Sequence, residues 1–272
     1  MSGYRITDFK TRRRRLINGS PVILLAVLSM FWYVTSRHAS VLAMAPATPR
    51  TYTTNFPLIE NPISENGNWI NGGSVGLNWS NVRTTPGLAF GTQIGNASGN
   101  AEYADSTAVL TGAWGADQEA SATVYVGSAP TSSSIFEEVE LRLRTTVTAN
   151  SITGYEINCS VSSASNNNYI QIVRWNGPIN NWTQIDGRGQ HCKNLDTIKA
   201  TIKGSTISVY YNGTLIMTDT DSTFSSGSPG LGFYLQGTTG TNANYGFSSF
   251  SADDGSSGTA PSPPVNLTGT PH

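Results

Sequence analysis

Hydrophobic and charged residues alternate most regularly in the segment EVELRLR, which begins at Glu138 and ends at Arg144. Its odd positions are Val139, Leu141 and Leu143, and its even positions are all charged. Because successive side chains of a β-strand point to opposite faces, this pattern predicts a strand with one aliphatic and one charged face. The charged residues are Glu138, Glu140, Arg142 and Arg144. The simplest interpretation of their face is a solvated ladder of charges on the sheet surface.

Similar short runs continue along most of the chain, with turn residues between them. Gly154–Val161 and Tyr169–Trp175 follow the first run, and Asn212-Gly213 is the strongest two-residue hairpin signal. Phe56–Trp69 contains prolines and predicts an edge strand followed by a turn, while Leu77–Val82 predicts a further short strand. About a dozen such strands, with no helix-period segment after the N-terminal region, predict an all-β fold, either a sandwich or a barrel.

Residues 1–49 predict a segment for export or membrane anchoring. Lys10 and Arg12–Arg15 form a basic region ahead of an apolar run, Pro21–Val34. Small residues at Ala43 and Ala45 then form an A-x-A-like cleavage site. This order is typical of a secretory signal peptide, and an uncleaved N-terminal anchor with a hydrophobic helix is the alternative. We therefore expect a secreted or cell-surface protein that meets a membrane only through this segment.

Two further segments divide the rest of the chain. Residues 50–254 contain all the predicted strands, and roughly 200 residues suit a single all-β domain with its own core. Residues 255–272 are rich in Gly, Ser and Pro, a composition that is typical of a linker or tail.

Charge limits the classes of partner. The chain has 16 basic and 17 acidic residues, and Lys10 and Arg12–Arg15 form a basic cluster within the N-terminal segment. Neither half of the chain carries a basic face, so nucleic acid is not an expected partner.

The chain contains two cysteines, Cys159 and Cys192. In an oxidising compartment such a pair predicts one disulfide, which here would close a loop of about 32 intervening residues. In the chain-entropy model such a bridge contributes roughly 3–4 kcal/mol to stability. Two buried free thiols are the alternative. A metal site at His191 and Cys192 is not favoured, because no paired C-x-x-C motif accompanies them.

Eight segments occur in an order that is found in a known superfamily. They are NPISENGNW (Asn61–Trp69), DQEASATVYV (Asp117–Val126), EVELRLR (Glu138–Arg144), GYEI (Gly154–Ile157), YIQIVRWNG (Tyr169–Gly177), IKATIKGSTISVYYNG (Ile198–Gly213), SPGLGFY (Ser228–Tyr234) and GFSSFSADD (Gly246–Asp254). Their order resembles the concanavalin A-like lectin/glucanase superfamily, in particular its laminin G-like bacterial members. The resemblance implies an antiparallel two-sheet β-sandwich of jelly-roll type, in which the last strand pairs with the first. The superfamily includes lectins, hydrolases, lyases and spacers, so the fold does not fix the function.

A carbohydrate-active enzyme is one functional hypothesis. Hydrolases of the laminarinase type present the carboxylates of an E-x-D-x-x-E motif from one strand, and Glu138 and Glu140 would be the corresponding pair here. Arginines take the later positions, so the nucleophile and acid pair is not reproduced. Alginate-lyase jelly rolls carry E-L-R and Q-I-H strands, and Val173 stands where the catalytic histidine would be. We therefore expect no catalysis, although Arg142 and Gln171 could still bind an acidic sugar.

Carbohydrate recognition without catalysis is the main hypothesis, with a glycan or polysaccharide as partner. Trp175 and Trp182 flank one Asn-rich loop, and flat aromatic faces beside polar donors suit sugar binding. The expected ligand-binding residues are Arg142, Arg144, Glu156, Gln171, Trp175, Asn176 and Trp182. We expect Trp69 and Trp114 to be core residues instead. A structural spacer in a larger surface protein is the third hypothesis, because the tail is rich in proline.

A structural calcium ion is the one cofactor to consider, since oxygen ligands bind calcium in many lectin-like sandwiches. Aspartates at turn positions could supply these ligands, although no D-x-D-x-D-G loop is present. They are Asp105, Asp117, Asp219, Asp221, Asp253 and Asp254.

Overall fold

The computed structural model describes Arg50–Thr238 and Asn242–Gly255. The N-terminal segment 1–49, with its expected hydrophobic helix, lies outside these ranges, as does the expected tail after Gly255. Within these ranges no helix is long and apolar enough to span a membrane.

Fifteen strands account for most of the described residues, which confirms the all-β prediction. The strands are β1 (Thr51–Thr54), β2 (Trp69–Asn71), β3 (Val82–Thr85), β4 (Leu88–Gly91), β5 (Ser106–Leu110), β6 (Gln118–Val126), β7 (Phe136–Thr148), β8 (Ser151–Ser160), β9 (Ile170–Gly177), β10 (Trp182–Arg188), β11 (Thr197–Lys203), β12 (Thr206–Tyr211), β13 (Thr214–Thr220), β14 (Ser228–Gln236) and β15 (Tyr245–Asp253). The helical segments are single turns at Gly72–Gly76, Gly99–Tyr103, Ser165–Asn167 and Asn242–Asn244.

The strands form two antiparallel sheets, which confirms the predicted sandwich. The seven-stranded sheet has the order β10-β9-β8-β7-β14-β5-β2. The eight-stranded sheet has the order β13-β12-β11-β6-β15-β4-β3, and β1 also pairs with β15. This last pairing runs from Thr51 opposite Asp253 to Thr54 opposite Phe250. The last strand therefore pairs with the first, as the sequence resemblance implied.

The aliphatic faces of the strands form the core of the sandwich. Val139, Leu141 and Leu143 of β7 are fully buried, as their alternation predicted. Small residues of β6 belong to the same buried cluster, namely Ala120, Ala122 and Val124. Trp69 and Trp114 also belong to it, which confirms them as core residues. Removal of this apolar surface from water, at roughly 25 cal/mol per Å², is the main force that holds the sheets together.

The eight-stranded sheet contains two tight hairpin turns, one of which is the predicted turn at Asn212-Gly213. Gly204 and Ser205 connect β11 to β12, and Asn212 and Gly213 connect β12 to β13. Asn212 and Gly213 have positive φ angles of 48° and 77°. Asparagine and glycine adopt this conformation at low cost, which is why the pair favours a tight hairpin.

Two predicted strands are not formed. Phe56–Trp69 is mainly a loop with an isolated bridge from Glu60 to Thr84, and β2 begins only at Trp69. The Glu60 carboxylate accepts hydrogen bonds from the backbone N–H groups of Ser64 and Glu65. Such local side-chain bonds compete with a strand ladder. The predicted strand Leu77–Val82 is likewise a loop up to Val82, where β3 begins.

The predicted disulfide between Cys159 and Cys192 is present, with their Cα atoms 5.9 Å apart. Cys159 lies near the end of β8, and Cys192 lies in the loop that leads to β11. The backbone N–H of Cys192 also donates to the carbonyl of Ser160 at 2.8 Å. The bridge therefore ties the segment that enters the eight-stranded sheet to β8, an interior strand of the seven-stranded sheet.

Candidate functional site

The outer face of the seven-stranded sheet brings together charged and amide side chains from three neighbouring strands. Arg142 on β7 pairs with Glu156 on β8. One step further along, Asn158 of β8 lies between Glu140 of β7 and Gln171 of β9. Because paired residues project to the same face of a sheet, these side chains lie side by side.

This face contains a cleft of about 270 Å³. The side chains that line the cleft are Tyr103, Asp105, Phe136, Glu138, Glu156, Asn158, Tyr169, Gln171, Val173, Trp175, Trp182 and Tyr234. Half of these residues are aromatic. Trp182 stands on the edge strand β10, and 43% of its surface is exposed. A recess with aromatic walls and a few convergent polar groups is the usual form of a site for a small ligand.

Arg142 borders the cleft at the centre of a buried ion-pair cluster. Its Nη1 lies 2.8 Å from Oε2 of Glu156, and its Nη2 lies 3.5 Å from Oδ2 of Asp105 and also contacts Glu140. Nη2 donates a further hydrogen bond of 3.1 Å to Oγ1 of Thr107. We call Asp105, Glu140, Arg142 and Glu156 the arginine cluster. Arg142 is 0% exposed, so its positive charge interacts with these acids and is not available to a ligand in the cleft.

Burial favours the protonated form of the acids in this region. It raises the pKa of Glu138 to about 8, and the charge of Glu156 adds to the shift. Burial, followed by the charge of Glu156, raises the pKa values of Asp105 and Glu140 well above their usual range. Burial alone would lower the pKa of Arg142, but the neighbouring carboxylates outweigh it and raise that pKa. The guanidinium is therefore charged, while Asp105, Glu138 and Glu140 hold protons more firmly than ordinary carboxyl groups do.

Hydrogen bonds hold two aromatic walls of the cleft against its acids. Nε1 of Trp175 donates to Oε2 of Glu156 at 2.6 Å, and the hydroxyl of Tyr169 donates to Oε1 of Glu138. The Trp175 ring also packs edge-to-face on Trp79, with 6.0 Å between their centroids. These contacts fix the ring orientation before a ligand arrives, which reduces the entropy lost on binding.

The predicted solvated ladder of charges is wrong. Glu138, Glu140 and Arg142 do share one face of β7, but all three are buried. β7 is a central strand, flanked by β8 and β14, so its side chains have neighbours on both sides. The ring of Trp175 covers part of this face, with its centroid 5.9 Å from the guanidinium carbon of Arg142.

The prediction that Arg144 shares this face is also wrong. A bulge interrupts β7 after Leu143, where Arg144 has a φ angle of +46° and pairing with β8 resumes only at Thr146. A bulge redirects the side chain that follows it. The guanidinium of Arg144 instead donates hydrogen bonds to the backbone carbonyls of Ala116, Gly204 and Phe224. Arg144 therefore holds loops together and does not line the cleft.

Asn176 is likewise directed away from the cleft. Gln171, Val173 and Trp175 line the cleft from alternate positions of β9, so Asn176 projects to the opposite face. Its amide donates to Oγ1 of Thr183 at 3.1 Å. Four of the seven expected ligand-binding residues do line the cleft, and they are Glu156, Gln171, Trp175 and Trp182.

Several lining residues were not expected to bind a glycan, and Asp105 was considered only as a possible calcium ligand. Asn158 and Tyr169 lie on or beside predicted strands, at positions that alternate with core residues, and that alternation was the available signal. Asp105 and Tyr103 enter from the loop before β5, which is distant in sequence from β8 and β9. Only the pairing order of the strands brings them to the same recess.

One group among the described residues could hold a metal ion. An oxygen atom from each of Asp105, Glu140 and Glu156 lies within 4.8 Å of the others. The guanidinium of Arg142 already contacts all three carboxylates and supplies the positive charge there. A calcium ion would have to displace Arg142, so the triad does not fit calcium alongside this arginine.

Comparison with known proteins concerns the fold. The sequence matches no family model and no curated protein. The carbohydrate-binding module CBM66 from Bacillus subtilis is a similar structure, with 14% identity, 69% of this chain and 92% of that chain covered, and a TM-score of 0.45. The carbohydrate recognition domain of Emp46p in its potassium-bound form is similar too, at 10% identity, with 74% and 95% covered and a TM-score of 0.49.

The metal-free exoplasmic/lumenal domain of VIP36 is also similar, at 10% identity, with 74% of this chain and 90% of that chain covered and a TM-score of 0.49. Likenesses at such low identity, with TM-scores below 0.5, assign neither a ligand nor a role to this chain.

Proposed function

We propose that this protein recognises glycans in the cleft and does not cleave them. The observation that carries the proposal is the composition of the cleft, where Trp175 and Trp182 stand beside the amides of Asn158 and Gln171. A sugar ring has apolar C–H faces and hydroxyl groups at its edge. Aromatic rings can stack on the C–H faces of the sugar, and amide groups can donate hydrogen bonds to its hydroxyl groups and accept hydrogen bonds from them.

The position of Glu140 argues against catalysis by an acid pair. A retaining glycosidase needs two carboxyl groups about 5 Å apart, both of them at the sugar. Glu138 lines the cleft, whereas Glu140 is 0% exposed and is held by Arg142. Val173 lines the cleft in the place of the histidine that the lyase comparison requires. Recognition therefore fits this set of residues better than turnover does.

A spacer function fits less well, because a spacer does not require an aromatic recess with a half-exposed tryptophan at its edge.

We also propose that the protein acts outside the cytoplasm, secreted or held at the cell surface by residues 1–49. The Cys159–Cys192 disulfide supports an oxidising compartment. In this arrangement residues 50–254 are the recognition domain and residues 255–272 are a tail. Fractionation of cells and medium would test the location.

The test is a binding screen of the full-length protein against neutral, acidic and amino polysaccharides, followed by calorimetry with oligosaccharides of any that bind. Trp182→Ala should weaken binding at least about tenfold, equivalent to ~1.4 kcal/mol, because it removes the exposed stacking face. Tyr125→Ala is the matched control, since Tyr125 is a similarly exposed aromatic residue on the eight-stranded sheet.

Absence of binding to every polysaccharide would overturn the proposal. Equal weakening by Trp182→Ala and Tyr125→Ala would also count against it, because the cleft would then not be the site. Measurable release of shorter sugars from a bound polysaccharide would favour the enzyme hypothesis instead.

A further inference from the structure

The walls of the cleft are acidic and contain no base. Asp105, Glu138 and Glu156 line it, and lysine, arginine and histidine are absent from its lining residues. Arg142 is the nearest cation, and its guanidinium is already in contact with Asp105, Glu140 and Glu156. Four carboxyl groups thus share one positive charge, and Glu138 makes no ion pair with it.

Protonation of the carboxyl groups offsets this excess of negative charge. Burial raises the pKa of Glu138 to about 8. The charged or titratable groups around Glu138 are Asp105, Glu140, Arg142, Glu156, Tyr169, Tyr234 and Tyr245. A second cation in the cleft would favour the ionised form of Glu138 and release its proton, because an opposite charge nearby lowers the pKa of a carboxyl group.

An unused hydrogen-bond acceptor also points to a ligand with donors. Asn158 lines the cleft, is only 6% exposed, and has no hydrogen-bond partner for its Oδ1. Its Nδ2 donates to Oε1 of Glu156 at 3.2 Å, which leaves Oδ1 as the atom without a partner. A buried acceptor without a partner costs about 1–3 kcal/mol relative to a satisfied one, and an N–H or O–H group of a ligand would supply that partner.

The aromatic walls favour the same kind of ligand. Trp175 and Tyr169 flank the acids of the cleft and are held to them by hydrogen bonds. The face of an aromatic ring attracts a cation through its quadrupole, and tryptophan does so most strongly. Carboxyl groups, a free amide acceptor and aromatic faces together suit a protonated amine. The lining residues offer no cation to a carboxylate.

We propose that the cleft selects glycans that carry a protonated amino group, such as β-1,4-linked glucosamine oligomers, over neutral and acidic glycans. The inference rests on the proposed function, because it names the class of glycan that the same cleft would bind. It replaces the expectation of an acidic sugar, for which Arg142 would have to face the ligand.

The experiment compares three oligomers that share one backbone and differ only at the C2 substituent. They are β-1,4-linked oligomers of glucosamine, glucose and N-acetylglucosamine, and an oligouronate serves as the acidic probe. Titration calorimetry of the full-length protein at about pH 6 keeps the amine charged. Glucosamine oligomers should bind at least about fivefold more tightly than glucose oligomers, through attraction to the cleft acids.

Two further measurements separate charge from shape. Glu138→Gln should reduce the ratio of the glucose and glucosamine dissociation constants to below about two, because the variant has lost the ionisable partner of the amine. Glu119→Gln is the control and should keep the wild-type ratio, since Glu119 lies on the eight-stranded sheet. In wild-type protein, glucosamine oligomers should also release protons, seen as a binding enthalpy that changes with the buffer, while glucose oligomers should not.

The outcomes distinguish the two proposals. Binding of neutral glycans as tightly as glucosamine oligomers, or an unchanged ratio in Glu138→Gln, would overturn the inference and leave glycan recognition standing. Binding without proton release would also contradict it, and this holds even if Glu138→Gln fails to fold. Failure of all oligomers to bind would overturn glycan recognition itself.

Discussion

Gly232 of β14 lies directly opposite Glu140 of β7, and its missing side chain leaves the space that the Glu140 carboxylate occupies. A Cβ atom at this position would also lie 3.1 Å from Nε and Nη2 of Arg142. Neither contact can relax easily, because both charged residues are fully buried. The arginine cluster therefore depends on a glycine of the neighbouring strand as well as on its own charges.

Gly232→Ala should destabilise the protein by roughly 1–3 kcal/mol, because the added methyl group overpacks the buried ion pair. The midpoint of urea unfolding would measure this. Gly189→Ala is the matched control, since no heavy atom lies within 4 Å of a Cβ built there. Equal stability of the two variants would show that the cluster can move aside.

Arg142→Met should cost roughly 3–5 kcal/mol of unfolding free energy at neutral pH, because it leaves several buried acids without their cation. The loss should become smaller in acid, where these carboxyl groups are neutral. Arg188→Met is the control: the Arg188 side chain is 51% exposed and pairs with Asp186 at the surface, so its loss should cost at most about 1 kcal/mol. A loss as small at Arg142 as at Arg188 would contradict the prediction.

Stability should fall as the pH rises from 4.5 to about 8. The pKa of Glu138 is raised from 4.5 to about 8 in the folded protein, so the folded state binds more protons than the unfolded state in this window. The contribution of Glu138 is therefore fully present below pH 4.5 and lost as the pH passes 8. The raised pKa values of Asp105 and Glu140 act in the same direction.

Urea unfolding at several pH values across this window would measure the decline. Glu138→Gln should make it shallower by at least about 1 kcal/mol, the approximate value of one pKa unit. Wild-type stability that rises across the window would contradict the prediction.

Replacement of both Cys159 and Cys192 by alanine should lower stability by roughly 2–4 kcal/mol, because the unfolded chain regains the freedom that the closed loop removes. Chemical unfolding with and without reductant would measure it. Reductant should lower the stability of the wild-type protein and leave the double variant unchanged. No difference between oxidised and reduced wild-type protein would contradict the prediction.

Local pattern was a good guide to which strands form. The alternation in EVELRLR correctly placed Val139, Leu141 and Leu143 in the core, and Asn212-Gly213 correctly marked a hairpin. The pattern misjudged Phe56–Trp69, because the Glu60 carboxylate binds backbone N–H groups nearby and replaces the strand ladder. Local contacts of this kind depend on side-chain orientation, which hydrophobic patterning does not report.

The site was only half predictable for a similar reason. Glu156, Gln171, Trp175 and Trp182 were expected from their strands and do line the cleft. Arg144 was expected with them, but the bulge after Leu143 turns it to other loops. A bulge adds one residue to a strand, and no reliable sequence pattern predicts it. Every side chain after the bulge lies on the opposite face from the one that strict alternation predicts.

The sequence by itself determined that the chain forms short strands joined by turns, because the period of two and the turn residues are local properties that each strand carries alone. The choice of a sandwich over a barrel came from the resemblance to a known superfamily and not from this pattern. The sequence also determined which cysteines pair, since there are only two. Only the tertiary structure decided that the charged face of β7 is buried. Burial depends on strands that are distant in sequence, on the glycine opposite Glu140, and on aromatic residues that β9 and the loop before β5 bring to the same recess.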